Sequence, residues 1–204
     1  KVNVLNYPPV PPDLTNSCVN LDAATGNVDF DWIAPVDTGI NFDYYVIYRA
    51  ASATGTYSPV DTIWNYTTQD YTHNGIGSGP GYYFMRTAGG CDLISEPSDT
   101  ISLMQLTLNP IPPTQSYVAQ LTWTPHNTKP NLGTYYQVWR RIFPTGTWDL
   151  IDSTQTLTYN DTVNLCSEDL EYQIRINGKC NSTTDHALFS DQINNDIISI
   201  DSVS

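Results

Sequence analysis

Apolar and polar residues alternate along many short stretches of this 204-residue chain. In the segment VDFDW, the residues Val28, Phe30 and Trp32 alternate with two aspartates. A period of two residues is typical of a β-strand with one buried face and one solvent face. Turn-forming tripeptides, such as TGN at residues 25–27 and NGK at residues 177–179, separate these stretches. The pattern predicts an all-β protein made of short strands, without a long helix.

The sequence contains an internal repeat. The segment ATGTYSPVDT, residues 53–62, matches PTGTWDLIDS, residues 144–153, at a spacing of 91 residues. The same shift places Trp32 on Trp123 and the motif YYVIYR on YYQVWR, and the shift becomes 89 residues further along. A sustained match at one period indicates two copies of one structural unit. Each copy carries seven predicted strands, which is the pattern of an immunoglobulin-like β-sandwich.

Each copy resembles a fibronectin type III domain. The resemblance rests on the tryptophan of the second strand, on YYVIYR and YYQVWR in the third, and on a Tyr-x-x-Arg motif at Tyr83 and at Tyr172. The segments CVNLDAATGNVDFDW and DYYVIYRA are similar to tandem modules in large surface proteins of gliding bacteria that use type IX secretion. The resemblance implies an all-β fold of two tandem seven-stranded fibronectin type III β-sandwiches.

The domain organisation follows from the repeat. We expect a proline-rich entry linker over residues 1–12, a first domain over 13–105 and a second over 106–204, in a mature or excised piece of a longer protein. The resemblance implies a non-catalytic spacer or stalk of a large secreted cell-surface protein, either a type IX secretion cargo or a gliding adhesin. Its partners would be neighbouring domains of the same polypeptide and cell-surface or secretion-machinery proteins, and its location the bacterial cell surface or the exterior.

Charge and hydropathy narrow the list of partners. The formal net charge is −13, and no basic patch could displace counterions from phosphates, so nucleic acid is not an expected partner. An acidic surface also disfavours docking on anionic membranes. No apolar run reaches 18 residues, so direct membrane insertion is not expected. Loosely bound Ca²⁺ on loop carboxylates is the one cofactor that the acidity favours.

Four cysteines allow three pairings, and the sequence leaves the choice open. Cys91 and Cys180 are equivalent positions of the repeat, just after the sixth strand of each domain. In the expected sandwich the first strand starts at the pole that carries the loop after that sixth strand, so we expect a Cys18–Cys91 disulfide. A Cys166–Cys180 bond needs the chain to fold back across an extended strand, and it is the weaker expectation. No CxxC motif or Cys/His cluster is visible, so no metal site is expected.

The sequence shows no catalytic constellation, and we expect no enzyme activity. Nucleophile elbows, HExxH motifs and phosphate-binding glycine loops are absent. His126 and His186 fall in predicted loops near one pole of the second domain, and a shared site there is the alternative to two solvated side chains. Asp29 and Asp31 are expected on the solvent face of the second strand, rather than in acid–base work.

A candidate binding face lies on the outside of the first domain. If Tyr45, Ile47, Tyr83 and Met85 face the core, an aromatic cluster faces outward, and such clusters mark interaction surfaces. Its members are Tyr44, Val46, Tyr48, Tyr82 and Phe84. The matching set of the second domain is more polar: Tyr135, Gln137, Trp139, Glu171, Gln173 and Arg175. A register shift by one residue would reverse the assignment.

Two alternative functions therefore stay open. The first is a glycan- or protein-binding module that uses this outer aromatic face. The second is a pair of accessory domains of a secreted polysaccharide-degrading enzyme, whose catalytic domain would lie elsewhere on the polypeptide.

Five Asp-Ser/Thr segments resemble the O-glycosylation signal of exported proteins in the same bacterial group. The resemblance implies glycans on the hydroxyl residue of each segment. The candidates are Thr62, Thr100, Ser153, Thr162 and Ser202.

Overall fold

A computed structural model describes most of the chain. It covers residues 9–22, 24–36, 41–77, 79–90, 93–111, 117–126, 135–163, 168–176 and 180–189. Within these ranges the backbone forms sixteen β-strands and no helix. The all-β prediction is confirmed.

The first eight strands form two facing sheets. In chain order they are β1 (Asn20–Asp22), β2 (Asn27–Asp31), β3 (Phe42–Ala50), β4 (Ser58–Ile63), β5 (Asp70–His73), β6 (Tyr82–Gly89), β7 (Leu93–Ile94) and β8 (Ile101–Ser102). One sheet has the order β1-β2-β5, and the other has the order β4-β3-β6-β7, with β8 also paired to β6. All of these strand pairs are antiparallel.

The second eight strands repeat this arrangement. They are β9 (Leu106–Ile111), β10 (Tyr117–Trp123), β11 (Tyr136–Ile142), β12 (Asp149–Thr154), β13 (Thr158–Val163), β14 (Glu168–Ile176), β15 (Cys180–Asn181) and β16 (Asp185–Phe189). Their sheets have the orders β13-β10-β9 and β12-β11-β14-β15, with β16 also on β14. The fold is therefore two tandem sandwiches with the strand order of fibronectin type III domains, as predicted, although each has eight described strands rather than seven, because two short strands pair with β6 and two with β14 in place of one final strand. The predicted boundary at residues 105/106 falls between β8 and β9, and its exact position stays a prediction.

The repeated TGT segment is a repeated turn next to a repeated bulge. The β3–β4 register shifts between Ile47 and Tyr48, and the β11–β12 register shifts at the equivalent pair, Val138 and Trp139. In the second copy the Gly146 N–H donates to the Ile142 carbonyl at 2.8 Å. A Cβ at position 146 would lie 2.7 Å from that oxygen, so only glycine fits this approach. In the first copy the Gly55 N–H donates instead to the Ser52 carbonyl, at 3.0 Å, so the repeat preserves the bulge while the hydrogen bond of the turn spans one residue fewer.

Each sandwich has its own hydrophobic core. In the first sandwich Val28, Phe30 and Trp32 are buried while Asp29 and Asp31 are exposed, so the predicted alternation of β2 is confirmed. The second core includes Leu121, Val138, Tyr172, Ile174 and Phe189. Burying a large apolar side chain stabilises a fold by about 1.5–3 kcal/mol, so these side chains fix which face of each sheet points inward.

The final strand of each sandwich departs from the sequence prediction. The turn residues of the sequence predict the first over 98–105, but β8 covers only Ile101–Ser102, because the hydroxyls of Ser95 and Ser98 accept the β6 hydrogen bonds from Thr87 and Met85 N–H, at 3.0 and 2.9 Å. The second was expected over 189–199, whereas the structure places β16 earlier, over Asp185–Phe189. Residues 190–204 lie outside the described ranges.

Candidate functional site

The two sandwiches are joined covalently at their junction. Cys18, two residues before β1, forms a disulfide with Cys180, the first residue of β15, and their Cα atoms are 5.1 Å apart. Both side chains are buried. The bond spans 162 residues of sequence and links the first sandwich to the second.

This disulfide corrects both expected pairings. Cys18 was expected to pair with Cys91, and Cys180 with Cys166, but neither bond can form while Cys18 holds Cys180. The expectation placed Cys18 at the wrong end of its strand. The chain turns back after Asp22 into β2, so Cys18 lies close to the end that approaches the second sandwich. Cys91 and Cys166 lie outside the described residues.

Hydrogen bonds surround the disulfide on both sides. The Asn181 N–H donates to Asn20 Oδ1 at 2.9 Å, directly across the junction. The Thr183 N–H donates to the Met104 carbonyl at 2.9 Å, and Thr183 Oγ1 accepts from Leu106 N–H at 2.9 Å. These bonds hold the segment that connects the sandwiches against the strand that carries Cys180.

His126 completes a cluster that the sequence did not reveal. One of its ring nitrogens lies within 4.8 Å of both sulfurs of the disulfide, and the two sulfurs and that nitrogen are mutually within this distance. The ring is hydrogen-bonded to the backbone of Ser17, while Nε2 is buried and has no hydrogen-bond partner in the structure. Burial lowers the pKa of His126 below its ordinary value of 6.5. The expectation of a solvated histidine at position 126 was wrong, because its ring lies against the backbone of Ser17 in the first sandwich.

The other two histidines contact residues of their own sandwich. His186 lies on β16, stacks on Phe143 with ring centroids 4.1 Å apart, and its Nδ1 is 3.0 Å from Asp169 Oδ1. It therefore pairs with the beginning of β14, whereas His126 lies beside Cys180, beyond the other end of that strand. The possible shared site of His126 and His186 is not formed. His73 lies on β5, with Nδ1 3.3 Å from the hydroxyl of the buried Tyr83.

The outer face of the first sandwich carries the predicted aromatic cluster. Tyr45, Ile47, Tyr83 and Met85 are fully buried, so the neighbouring positions on β3 and β6 point outward. Tyr48 stacks on Phe84, with ring centroids 4.8 Å apart and planes at 17°. A second pair is formed by Tyr44 and Trp64, at 4.8 Å.

Two details of this face differ from the prediction. Val46 is only 8% exposed, because it lies between Thr62 and Arg86 of the flanking strands, and it is not available at the surface. Trp64, which the sequence argument missed, is 71% exposed. Trp64 lies just after the end of β4, where the alternation of buried and exposed residues no longer predicts the direction of a side chain. A binding role for Tyr44, Tyr48, Tyr82 and Phe84 stays a prediction.

The equivalent face of the second sandwich is a ladder of arginine and tryptophan. The Arg175 guanidinium lies 4.4 Å from the Trp139 ring centroid and 5.2 Å from that of Trp148. Arg141 covers the other side of the ladder, 4.6 Å from the Trp148 centroid, and forms an ion pair of 2.5 Å with the buried Glu171. Each such cation–π contact contributes about 0.5–2 kcal/mol. The cations occupy the aromatic faces here, so this surface is more polar, as predicted.

A cleft beside the junction is acidic. It has a volume of about 480 Å³ and is lined by Asn16, Asn20, Asp29, Asp31 and Asp70, among others. Asp31 and Asp70 face each other directly across β2 and β5, and such like-charged pairs are destabilising. These carboxylates lie on strands rather than on loops, and Ca²⁺ binding stays a prediction.

The candidate glycosylation residues lie at the surface to different extents. Ser153 and Thr162 are exposed, whereas Thr62 and Thr100 are partly covered. Thr62 and Ser153 share one local geometry, because their N–H groups donate to Oδ1 of Asp61 and Asp152, at 2.7 and 2.6 Å. Ser202 lies outside the described residues, and modification of all five stays a prediction.

Comparisons with known proteins return fibronectin type III domains, including tandem arrays. A two-domain fibronectin type III segment of chicken tenascin is 17% identical, with 88% of this chain and 99% of that chain covered and a TM-score of 0.35. An Fn3-like protein of Clostridium thermocellum is 18% identical over 48% of this chain and 93% of its own, with a TM-score of 0.38. The central fibronectin-III array of RIM-binding protein is 16% identical over 89% and 68%, with a TM-score of 0.36. No family model and no curated protein matches the chain.

Among the described residues, no helix has the length and apolar character needed to cross a membrane.

Removing the disulfide should weaken the whole chain. For Cys18→Ser/Cys180→Ser we expect a loss of about 3–5 kcal/mol in the free energy of unfolding, because a cross-link over so long a loop restricts the unfolded chain strongly. Denaturant unfolding measures this loss. The matched control is Cys91→Ser/Cys166→Ser, in which peptide mapping without reduction should still find Cys18 joined to Cys180. A Cys18–Cys91 peptide in the parent chain would contradict the structure.

Stability should fall with pH below about 6.5, through His73. Burial first, and the charge of Arg49 second, lower the pKa of His73 in the folded chain below 6.5. Between that lowered pKa and 6.5 the unfolded chain binds more protons, so unfolding becomes easier as the pH falls; above 6.5 the effect is constant. His126 acts in the same direction. Unfolding curves of His73→Gln between pH 5 and 8 should show a smaller decrease than the parent chain, and an unchanged decrease would contradict this assignment.

Proposed function

We propose that this chain is a non-catalytic spacer or stalk segment of a larger secreted cell-surface protein. The observation that carries the proposal is the Cys18–Cys180 disulfide between the two sandwiches. Disulfides persist in oxidising, extracellular environments, which favours a secreted location. Cys18 and Cys180 are both buried in the core cluster of the second sandwich, and their bond fixes that core to the first sandwich, which suits a mechanical role. Transport by type IX secretion and a part in gliding adhesion are the more specific form of the proposal.

The disulfide also decides where a pulling force would act. A pull on the two ends of the chain passes from Cys18 directly to Cys180, so residues 19–179 form a covalent loop outside the path of the force. Both cores lie almost entirely inside that loop. A surface stalk built in this way keeps most of its folded structure even when its outermost strands are peeled away.

The cysteine pattern is compatible with a longer array. By the sequence repeat, Cys91 has in the first copy the position that Cys180 has in the second. Cys180 receives its partner from the preceding sandwich. A fibronectin type III unit that precedes this chain and carries an equivalent of Cys18 would find Cys91 in the matching position. Neighbouring domains of the same polypeptide are therefore the proposed partners.

The native polypeptide tests the spacer proposal directly. An antibody against this chain should recover from the source organism a polypeptide far heavier than 22.7 kDa. Its intact mass should show sugar-spaced heterogeneity if the five Asp-Ser/Thr segments are modified. A bare native species of 22.7 kDa would overturn the proposal, and a catalytic domain on the same polypeptide would instead favour accessory domains of a polysaccharide-degrading enzyme.

Single-molecule pulling tests the force path. In Cys91→Ser/Cys166→Ser, held by handles at both ends, reduction should add about 550 Å of contour length, since the 162-residue loop extends by about 3.3–3.6 Å per residue. The oxidised chain should release only the segments outside residues 18–180. Equal contour lengths before and after reduction would contradict the force path.

A glycan- or protein-binding module is the second candidate function, and exposed Trp64 beside Tyr44 favours it. Tryptophan and tyrosine offer flat faces on which sugar rings and partner side chains can stack. On immobilised β-linked oligosaccharides, Trp64→Ala should then lose at least tenfold in affinity, while Leu188→Ala, another exposed large apolar residue, should bind as the parent does. Absence of binding by the parent chain would leave the spacer role without a carbohydrate-binding function.

A further inference from the structure

The proposed function uses the junction disulfide but not the histidine beside it. The sulfurs of Cys18 and Cys180 and one ring nitrogen of His126 lie mutually within 4.8 Å, between two sandwiches that bury both cysteines. In the oxidised chain the two sulfurs are bonded to each other. We propose that, when this disulfide is reduced, Cys18, Cys180 and His126 bind one Zn²⁺ ion at the junction.

The donor types match the metal. Zn²⁺ prefers thiolate sulfur and imidazole nitrogen, at about 2.3 and 2.0–2.1 Å, in tetrahedral geometry. Those bond lengths place neighbouring ligand atoms about 3.3–3.8 Å apart. Donor atoms that already lie within 4.8 Å need to approach one another by about 1.5 Å or less, whereas the two sulfurs must separate from their bond. Three protein ligands leave the fourth position to water.

The histidine has a ring nitrogen that is free to act as a ligand. Its ring is hydrogen-bonded to the backbone of Ser17, and Nε2 is buried without a partner. A ring nitrogen that donates to a backbone carbonyl fixes the tautomer and leaves the lone pair of the other nitrogen available, which is the usual arrangement around metal-bound histidine. A buried nitrogen without a hydrogen bond is costly in free energy, and coordination of an ion would remove that cost.

The three proposed ligands come from both sandwiches. Cys18 comes from the first sandwich, whereas His126 follows β10 and Cys180 begins β15 in the second. The ion would therefore bridge the two sandwiches where the disulfide had joined them. The chain would keep its two halves connected under oxidising conditions by the S–S bond, and under reducing conditions with zinc present by coordination.

Reduction of the disulfide requires a two-electron reductant. A trialkylphosphine and one water convert the disulfide into two thiols, and the phosphine leaves as its oxide. Zn²⁺ then replaces the two thiol protons, which are released to the buffer, because the metal binds the deprotonated sulfur. In the oxidised chain the sulfurs carry no thiolate, so no ion is expected to bind.

The test uses the full chain with Cys91→Ser and Cys166→Ser, so that Cys18 and Cys180 supply the only thiols. After reduction with the phosphine, Co²⁺ should give sulfur-to-metal charge-transfer bands and the visible absorption of a tetrahedral site. Zn²⁺ should bind at one ion per chain, bleach those bands and protect both thiols from alkylation. The oxidised form of the same chain should show none of these changes.

Zinc affinities of histidine variants show whether His126 is a ligand or whether the two thiols bind the ion alone. His126→Gln should weaken zinc binding by more than about 100-fold, since loss of even a group that only orients a ligand costs 10–100-fold. His186→Gln, which removes a histidine paired with the beginning of β14, at the other end of that strand from Cys180, should bind zinc as the parent does. Equal affinity of His126→Gln and parent would overturn the proposal. So would two titratable thiols in a reduced chain with native circular dichroism that binds no Zn²⁺.

Unfolding on reduction also gives a decisive result. If the reduced chain loses its native circular dichroism, Zn²⁺ must restore both the spectrum and the protection of the thiols, because binding free energy then drives folding. A reduced chain that stays unfolded and unprotected with Zn²⁺ present would overturn the proposal. These outcomes do not depend on whether the native polypeptide is long or short, so the spacer proposal can fail independently.

Discussion

The disulfide between Cys18 and Cys180 is the constraint on which the arrangement of the two sandwiches depends. Each sandwich has its own core cluster, and the cluster of the second also includes Cys18 of the first. Hydrogen bonds between described residues of the junction, such as Asn181 to Asn20, contribute about 0.5–1.5 kcal/mol each. The covalent bond contributes more to the junction than these hydrogen bonds do, and it holds the two sandwiches together around His126. The burial of that imidazole, with its partnerless Nε2, is a consequence of the link.

The two copies keep one architecture and differ in the polar groups attached to it. The buried tyrosine of β6 and β14 is retained as Tyr83 and Tyr172. Tyr83 faces His73, whereas Tyr172 donates to Asp161 at 2.8 Å, and Asp161 also accepts from Arg140 at 2.6 Å. Burial and the negative charge of Asp161 raise the pKa of Tyr172 strongly. Duplication thus preserved the hydrophobic positions, while the partner of the tyrosine changed from a carboxylate to an imidazole or the reverse.

Features with a local period could be predicted from the sequence. Val28, Phe30 and Trp32 face inward because a strand alternates, and the repeat at 91 residues showed that the second copy must do the same. The exposure of Val46 could not be predicted in this way, because it depends on Thr62 and Arg86 of neighbouring strands. The alternation gives the direction of a side chain, but the flanking strands decide whether solvent reaches it.

The contacts of Cys18 and His126 at the junction could not be predicted from the sequence at all. Cys18 and His126 have no counterparts in the repeat, so the match between the copies says nothing about them. Their neighbours come from a different sandwich, and the relative placement of two sandwiches is not written in the alternation of either. The repeat relates equivalent positions, and it therefore drew attention to Cys91 and Cys180, which are equivalent but belong to different copies of the unit. The contact that matters joins positions that are not equivalent, since Cys18 precedes the first strand of one unit and Cys180 begins the seventh strand of the next. Chemistry at a junction of this kind should therefore be sought among the residues that break a repeat, rather than among those that obey it.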